Sequence, residues 1–293
     1  MELPLVVGVD GSESSLQAVD WAAQEAARRR VPLRLVHASL WERYEGGALS
    51  RSLGRSRGHG PRLGESILTC AAHRAEDTDP DVDVATELVS EDTTLALLRE
   101  ARNAVALVTG RRGRGAMAGL LLGSVSLAVA ARAPCPVVVV RGAEAGRDGH
   151  HHRVLLAVGD PVCAADAVRF AFLEAELRRA ELHAVRAWRS PARESPVRPG
   201  RAGERERTDA ASAAAALDAA LSEPAEAHPR VDVVPTVVEG PAHKVLVPFA
   251  ADADLMVLGA RHRHGRPGTP LGRVPHAMLH RAACPVAVIP HHG

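Results

Sequence analysis

The stretch Arg132-Ala133-Pro134-Cys135-Pro136-Val137 returns further along the chain as Arg281-Ala282-Ala283-Cys284-Pro285-Val286. The offset is 149 residues, and it holds elsewhere. Leu122-Gly123 falls on Leu271-Gly272, Gly110 on Gly259, and Arg112 on Arg261. Near the start, Ala18-Val19 falls on Ala167-Val168 and Glu25 on Glu174. One offset that fits from end to end means two copies of one fold. A repeat of ~150 residues is a duplicated domain, because solenoid units are far shorter. The expected domains are 1–143 and 152–293. Their joint, 143–153, is rich in Gly and His and poor in apolar residues.

Within a repeat, strand and helix patterns alternate. Residues 5–9 form a short apolar run, so a buried strand is expected. In 14–30, Leu16, Val19, Ala23 and Ala26 mark one face and Gln17, Asp20, Gln24 and Arg28 the other, which is helical spacing. Strands follow at 33–38, 82–89, 105–109 and 137–140, with helices at 93–102 and 124–132. Continuous apolar strands joined by helices imply a parallel sheet covered on both faces. Segments 42–64 and 190–209 lack periodicity, fall at nearly the same point of each repeat, and read as mobile loops. In such sheets ligands bind at the carboxyl ends of the strands, near a topological switch point.

Composition narrows the function. The 293 residues are 46% apolar and 24% charged, which excludes a disordered chain. A formal net charge of +1 and only 2% aromatics argue against a broad polyanion surface and against base-stacking platforms, so no nucleic-acid partner is expected. Lys244 is the sole lysine. The longest uncharged stretch, 115–131, has 17 residues and includes Gly119, Gly123, Ser124 and Ser126. It falls short of the ~20 residues a membrane helix needs, so no membrane span is expected. The first ten residues lack the basic start and long apolar run of a signal peptide. Cysteines at 70, 135, 163 and 284 lack zinc-type spacing, and a cytoplasmic chain with reduced thiols is expected. Cys135 and Cys284 read as small buried apolar side chains. His150, His151 and His152 read as a solvated linker, with no metal site expected.

The chemistry concentrates after the fourth strand, in Thr109-Gly110-Arg111-Arg112-Gly113-Arg114-Gly115 and then Gly123-Ser124-Val125-Ser126. Glycines let main-chain N–H groups approach an anion with no Cβ in the way. The helix opening after Gly123 offers unpaired N–H groups and the positive end of its dipole. Ser124 and Ser126 add hydroxyls, and Arg111, Arg112 and Arg114 balance negative charge. The first strand ends in Val9-Asp10-Gly11-Ser12, where a carboxylate can accept hydrogen bonds from ribose hydroxyls or a base amine. Among Ser12, Ser14 and Ser15, helix capping accounts for at least one. The pattern is neither a dinucleotide GxGxxG nor a Walker GxxxxGK[ST].

These residues resemble the universal stress proteins in their tandem form. The family pattern is Gly, two residues, Gly, nine residues, Gly, then Ser or Thr, met here by Gly110, Gly113, Gly123 and Ser124. The early Asp10 in Val-Gly-Val-Asp-Gly-Ser and the closing Cys-Pro-Val strand match as well. The resemblance implies an α/β fold: two tandem Rossmann-like (HUP-type) α/β/α domains, each with a five-stranded parallel sheet, forming an internal pseudo-dimer. It implies ATP bound with Asp10 and Ala38 near base and ribose and with Gly110, Gly113, Gly123, Ser124, Val125 and Ser126 around the phosphates. Val9, Thr109 and Arg112 complete the expected ATP-binding set. Magnesium can accompany ATP between the phosphates, although no carboxylate cluster marks its place. ADP, AMP and cyclic AMP stay open as alternatives.

The second repeat departs from the pattern. Asp10 becomes Gly159, with Asp160 one place later. Gly113 becomes His262, Ser124 becomes Arg273 and Ser126 becomes Pro275, which has no N–H to donate. Arg261, Arg263 and Arg266 lie close in sequence. One working site and one degenerate partner domain are expected. The resemblance also implies pairing through the last strands, 137–140 and 286–289, within one chain or between two chains as a homodimer. The expected function is a nucleotide-dependent regulatory module in stress response, not an enzyme beyond slow ATP hydrolysis. The alternatives are an interaction scaffold without nucleotide, a weak ATPase, or an adenylating enzyme of the PP-loop class. That class carries Ser-Gly-Gly-x-Asp-Ser after its first strand, whereas this chain has Val-Asp-Gly-Ser-Glu-Ser.

Overall fold

Strand β1 (Leu5–Gly8) is the axis of the first unit: it pairs in parallel with β2 (Leu33–Ala38) on one side and β4 (Ala106–Gly110) on the other. Beyond β2 lies β3 (Val84–Val89), and beyond β4 lies β5 (Val137–Val140), giving the order β3-β2-β1-β4-β5 with every pair parallel. Helices α1 (Glu13–Arg29), α2 (Gly60–Thr78), α3 (Thr93–Glu100) and α4 (Ser124–Arg132) connect the strands, with a 3-10 turn at Ala101–Asn103. A computed structural model describes residues 2–39, 60–113, 122–159, 161–189, 202–260 and 271–291. The chain divides into two compact units, Met1–Arg141 and Gly142–Gly293.

Sequence explains the packing of the first unit. Leu5, Val6, Val7, Leu33, Leu35, Leu107 and Val108 are fully buried, as strands covered on both faces must be. Helix α1 begins where the Ser12 hydroxyl caps the Ser15 N–H at 3.2 Å, and it ends at Arg30 with φ 56. Its apolar face (Val19, Ala22, Ala23 and Ala26) is buried, which agrees with the spacing read above apart from the half-buried Leu16. Arg74 of α2 grips Asp20 of α1 through two bonds of 2.6 and 2.7 Å.

The second unit repeats the plan. It contains α5 (Glu144–Arg147), β6 (Arg153–Ala157), α6 (Pro161–Arg178), β7 (Glu181–Trp188), α7 (Ala202–Ala227) and β8 (Val233–Glu239). It continues with α8 (Ala242–Phe249), a 3-10 turn at Ala250–Asp252, β9 (Leu255–Ala260), α9 (Arg273–Arg281) and β10 (Val286–Pro290). Its strand order is β8-β7-β6-β9-β10, all parallel. No helix among the described residues is long and apolar enough to cross a membrane.

Two sequence expectations need correction. The segments 42–64 and 190–209, read as loops, end in helix: α2 starts at Gly60 and α7 at Ala202, while 40–59 and 190–201 lie outside the described residues. Pro61 hides the start of α2, because proline suggests a break, yet its missing N–H costs nothing in a first helical turn. The run 150–152, read as a solvated linker, is also tied to the fold through the joint 143–153. That joint holds α5, and the buried Asp254 carboxylate accepts from the His151 N–H at 2.9 Å and the Arg153 N–H at 3.1 Å. The histidine run therefore belongs to the second unit.

Candidate functional site

The switch point of the first unit lies between β1 and β4, since the chain builds outward through β2 and β3 and then crosses back to β4. A cavity of about 300 Å³ opens there, at the carboxyl ends of the strands. Val9 and Asp10 reach it from the end of β1, Ala38 from the end of β2, and Thr109 and Gly110 from the end of β4. Arg112 and Gly113 follow β4, and Gly123, Ser124, Val125 and Ser126 open α4 on the same cavity. The expected ATP-binding residues thus surround one space, while Arg111 does not line it. Arg114 and Gly115 lie outside the described residues.

The loop after β1 and the loop after β4 hold each other. The Ser12 hydroxyl lies 2.6 Å from Asp10 Oδ1 and 3.2 Å from the Arg112 carbonyl. It has one proton, so it donates to the nearer carboxylate. The Ser12 N–H also donates to Asp10 Oδ1, at 3.0 Å, which fixes the carboxylate at the strand end. The Arg112 N–H donates to Ser14 Oγ at 3.2 Å. A Cβ on Gly110 would run into the Ser14 backbone, and one on Gly113 would run into Asp10 Oδ2. The first glycine lets β4 approach α1; the second makes room for the carboxylate.

Helix α4 begins at Gly123, whose φ of −73 is ordinary and whose N–H donates to the Arg111 carbonyl at 2.9 Å. The first intrahelical bond is Leu127 N–H to Gly123 carbonyl at 3.1 Å, so the N–H groups of Ser124, Val125 and Ser126 precede the ladder. The buried Ser126 hydroxyl donates to the Gly110 carbonyl at 2.8 Å. It braces the loop, whereas the sequence reading had it as a donor for an anion. Ser124 is exposed. Two polar atoms of this site are buried with no hydrogen-bond partner among the described residues: Thr109 Oγ1 and Arg112 Nε.

The sequence reading passed over four more residues on the cavity, namely Gly8, Ser15, Thr93 and Leu97. Ser15 had a signal in the serine run behind Asp10, but capping absorbed it. Thr93 donates to the Ala38 carbonyl at 3.1 Å and so ties α3 to the end of β2. Nothing in the spacing marked it beyond its place at a helix start.

The model of the universal stress protein family matches the chain twice, over residues 3–141 and 150–290. The chain belongs to the universal stress protein family. It is similar over its whole length to Universal stress protein Rv2005c of Mycobacterium tuberculosis, with 34% identity covering 97% of this chain and 96% of the relative. Universal stress protein Rv2623 of the same organism is 30% identical over 98% of this chain and 96% of its own length. The crystal structure of a universal stress protein from Archaeoglobus fulgidus superimposes with a TM-score of 0.68, covering 99% of this chain and 98% of that one at 18% identity. That likeness bears on the fold alone.

The second unit of this universal stress protein has its own cavity at the corresponding strand ends, of about 320 Å³. Gly159, Gly259, Gly272, Arg273 and Pro275 line it, each 149 residues after its counterpart. The hydrogen-bonding side chains are gone. Asp10 is replaced by Gly159, Ser15 by Ala164, Thr93 by Ala242, Thr109 by Leu258 and Ser126 by Pro275. Asp160, Arg261, His262, Arg263 and Arg266 lie outside the described residues. Among the described residues, no group of three or more His, Cys, Asp or Glu could hold a metal ion.

Proposed function

We propose that this universal stress protein binds one adenine nucleotide, ATP, in its first unit and acts as a nucleotide-dependent regulatory module in stress response. The observation that carries the reading is the pair of orphaned atoms. A buried polar atom without a partner costs about 1–3 kcal/mol. Thr109 and Arg112 both line the cavity, beside an unpaired helix N-terminus that favours anions. In this reading Asp10 accepts from ribose or base, and the first turn of α4 with Arg112 holds phosphate. Magnesium would arrive with the phosphates and neutralise their charge there, while Asp10 already accepts from Ser12. The same engagement leaves Asp10 poorly placed as a general base, so hydrolysis is slow; turnover at the rate of a kinase would overturn that part of the reading. The free thiols of Cys70 and Cys135 support a cytoplasmic location.

The test is to denature the purified protein, then identify and count the nucleotide released. About one ATP per chain, lost in Asp10→Ala and in Gly113→Ala, supports the reading. ADP, AMP or cyclic AMP in its place would correct the ligand. No nucleotide, and no binding of added ATP, would turn the reading to a scaffold.

The pairing of the repeats is a separate proposal. Each unit, taken by itself, ends its strand order on an apolar strand, Val137–Val140 or Val286–Pro290, and bare strand edges invite partners. Halves purified separately that associate on mixing would support it, and halves that stay apart would overturn it.

A further inference from the structure

The cavity of the second unit is as large as that of the first but has lost its carboxylate and hydroxyl side chains. Five positions that carry a carboxylate or hydroxyl in the first unit carry Gly, Ala, Ala, Leu and Pro in the second. Among the described residues, a nucleotide there would meet none of the carboxylate and hydroxyl partners of the first unit, and burying its polar groups unpaired is costly. The aliphatic side chains along the walls, Leu258, Leu246 and Ala164 among them, favour an apolar body instead.

One polar feature is gained where the others are lost. Ser124 becomes Arg273, the first residue of α9, exposed and with no ion pair among the described residues. Gly272 gives the helix no side-chain cap, and the first intrahelical bond runs from the His276 N–H to the Gly272 carbonyl at 3.3 Å. Arg273 and Val274 therefore present two N–H groups, while Pro275 presents none. Two N–H groups, a guanidinium and a positive helix end match the two oxygens of a carboxylate rather than a chain of phosphates.

We propose that the cavity between β6, β9 and the start of α9 binds a small amphipathic carboxylate, with the apolar body against Leu258 and Ala164 and the carboxylate at Arg273. This goes beyond the nucleotide reading of the first unit and does not rest on it.

The experiment is calorimetric titration of the full-length protein with octanoate, with octylamine as a control of the same chain length and opposite charge. Octanoate is expected to bind about once per chain, and octylamine not at all. Two variants place the site. A Cβ on Gly159 meets no heavy atom within 4 Å, so Gly159→Leu fills the cavity without straining the fold and is expected to abolish binding. Arg273→Gln is expected to weaken it roughly ten-fold or more. Circular dichroism confirms that both variants fold, and the nucleotide count in each reads the first unit separately. The proposal is overturned if octanoate does not bind the unaltered protein, if octylamine binds equally well, or if either folded variant binds octanoate as before.

Discussion

Gly110 and Gly113 look alike in the sequence, as glycines of one anion loop, but their environments differ. The missing Cβ of Gly110 faces the Ser14 backbone, locked in α1, whereas that of Gly113 faces only the Asp10 side chain. A methyl group can displace a carboxylate by rotation; it cannot displace a helical carbonyl. Gly110→Ala is therefore expected to destabilise the protein by about 1–3 kcal/mol, read as a lower midpoint in urea with an unchanged slope. Gly113→Ala should leave that midpoint within about 0.5 kcal/mol and lower nucleotide content instead. Equal losses of stability in the two would show that Asp10 cannot yield. The cysteines separate in the same way. Burial pushes the Cys135 thiol up to about 12, while Cys70 is exposed. The thiolate is the reactive form, so a maleimide at neutral pH is expected to label Cys70 and to reach Cys135 only after unfolding. Peptide mapping before and after denaturation checks it. The sequence reading of Cys135 as a small buried apolar side chain agrees with this burial.

Among the elements, those with a strong period or a continuous apolar run were legible. Strands β2 and β5 and helix α4 fall where the spacing predicts, and α1 begins one residue early because Ser12, not a later serine, is the cap. Helices α2 and α7 were hidden at their starts. Gly60-Pro61 resembles a break, and the approach to α7 is a run of Arg and Glu with no apolar face. Leu217 and Leu221, which bury α7, come a dozen residues later, and the run 210–216 is held by alanine propensity rather than by amphipathic pattern. In β7, His183 is invisible to spacing. Its ring meets the edge of Phe249 at 5.1 Å and its Nε2 lies 2.9 Å from Thr236 Oγ1. Burial first, and then the Arg153 guanidinium, hold its pKa below the ordinary 6.5, with Glu181 opposing them. Protonation thus favours the unfolded chain. The His183 contribution to stability is intact above pH 6.5 and falls as the pH drops towards the folded value. His183→Phe keeps the ring against Phe249. Its urea midpoint should depend less steeply on pH between about pH 5 and 7 than that of the unaltered protein. Parallel curves would assign the acid sensitivity elsewhere.

For the whole chain, the offset of 149 residues carries most of what the sequence tells. It names two units, and it aligns every residue lining the second cavity except Val185 and Leu271 with one lining the first. What it leaves out is the meaning of the differences. Read singly, Asp10 to Gly159 or Thr109 to Leu258 is a lost contact, and the second repeat reads as degenerate. Only the cavity shows that the losses fall on one surface, which stays open, stays about the same size and loses its carboxylate and hydroxyl side chains. A collapsed site would have filled with side chains. The two units should therefore respond to different ligands, and hydrogen exchange on the intact protein reads both at once. Saturating ATP is expected to slow exchange in peptides spanning β1, β4 and the first turn of α4, and to leave those spanning β6, β9 and α9 unchanged. Octanoate is expected to do the reverse. At a ligand concentration of 100 times Kd the stabilisation is about 2.7 kcal/mol, a slowing of roughly 100-fold for amides that exchange by opening of the bound element. If ATP slowed exchange equally in both units, the loss of the carboxylate and hydroxyl side chains would not discriminate between ligands. If octanoate protected neither unit, the second cavity would be open but without the ligand chemistry inferred from its walls.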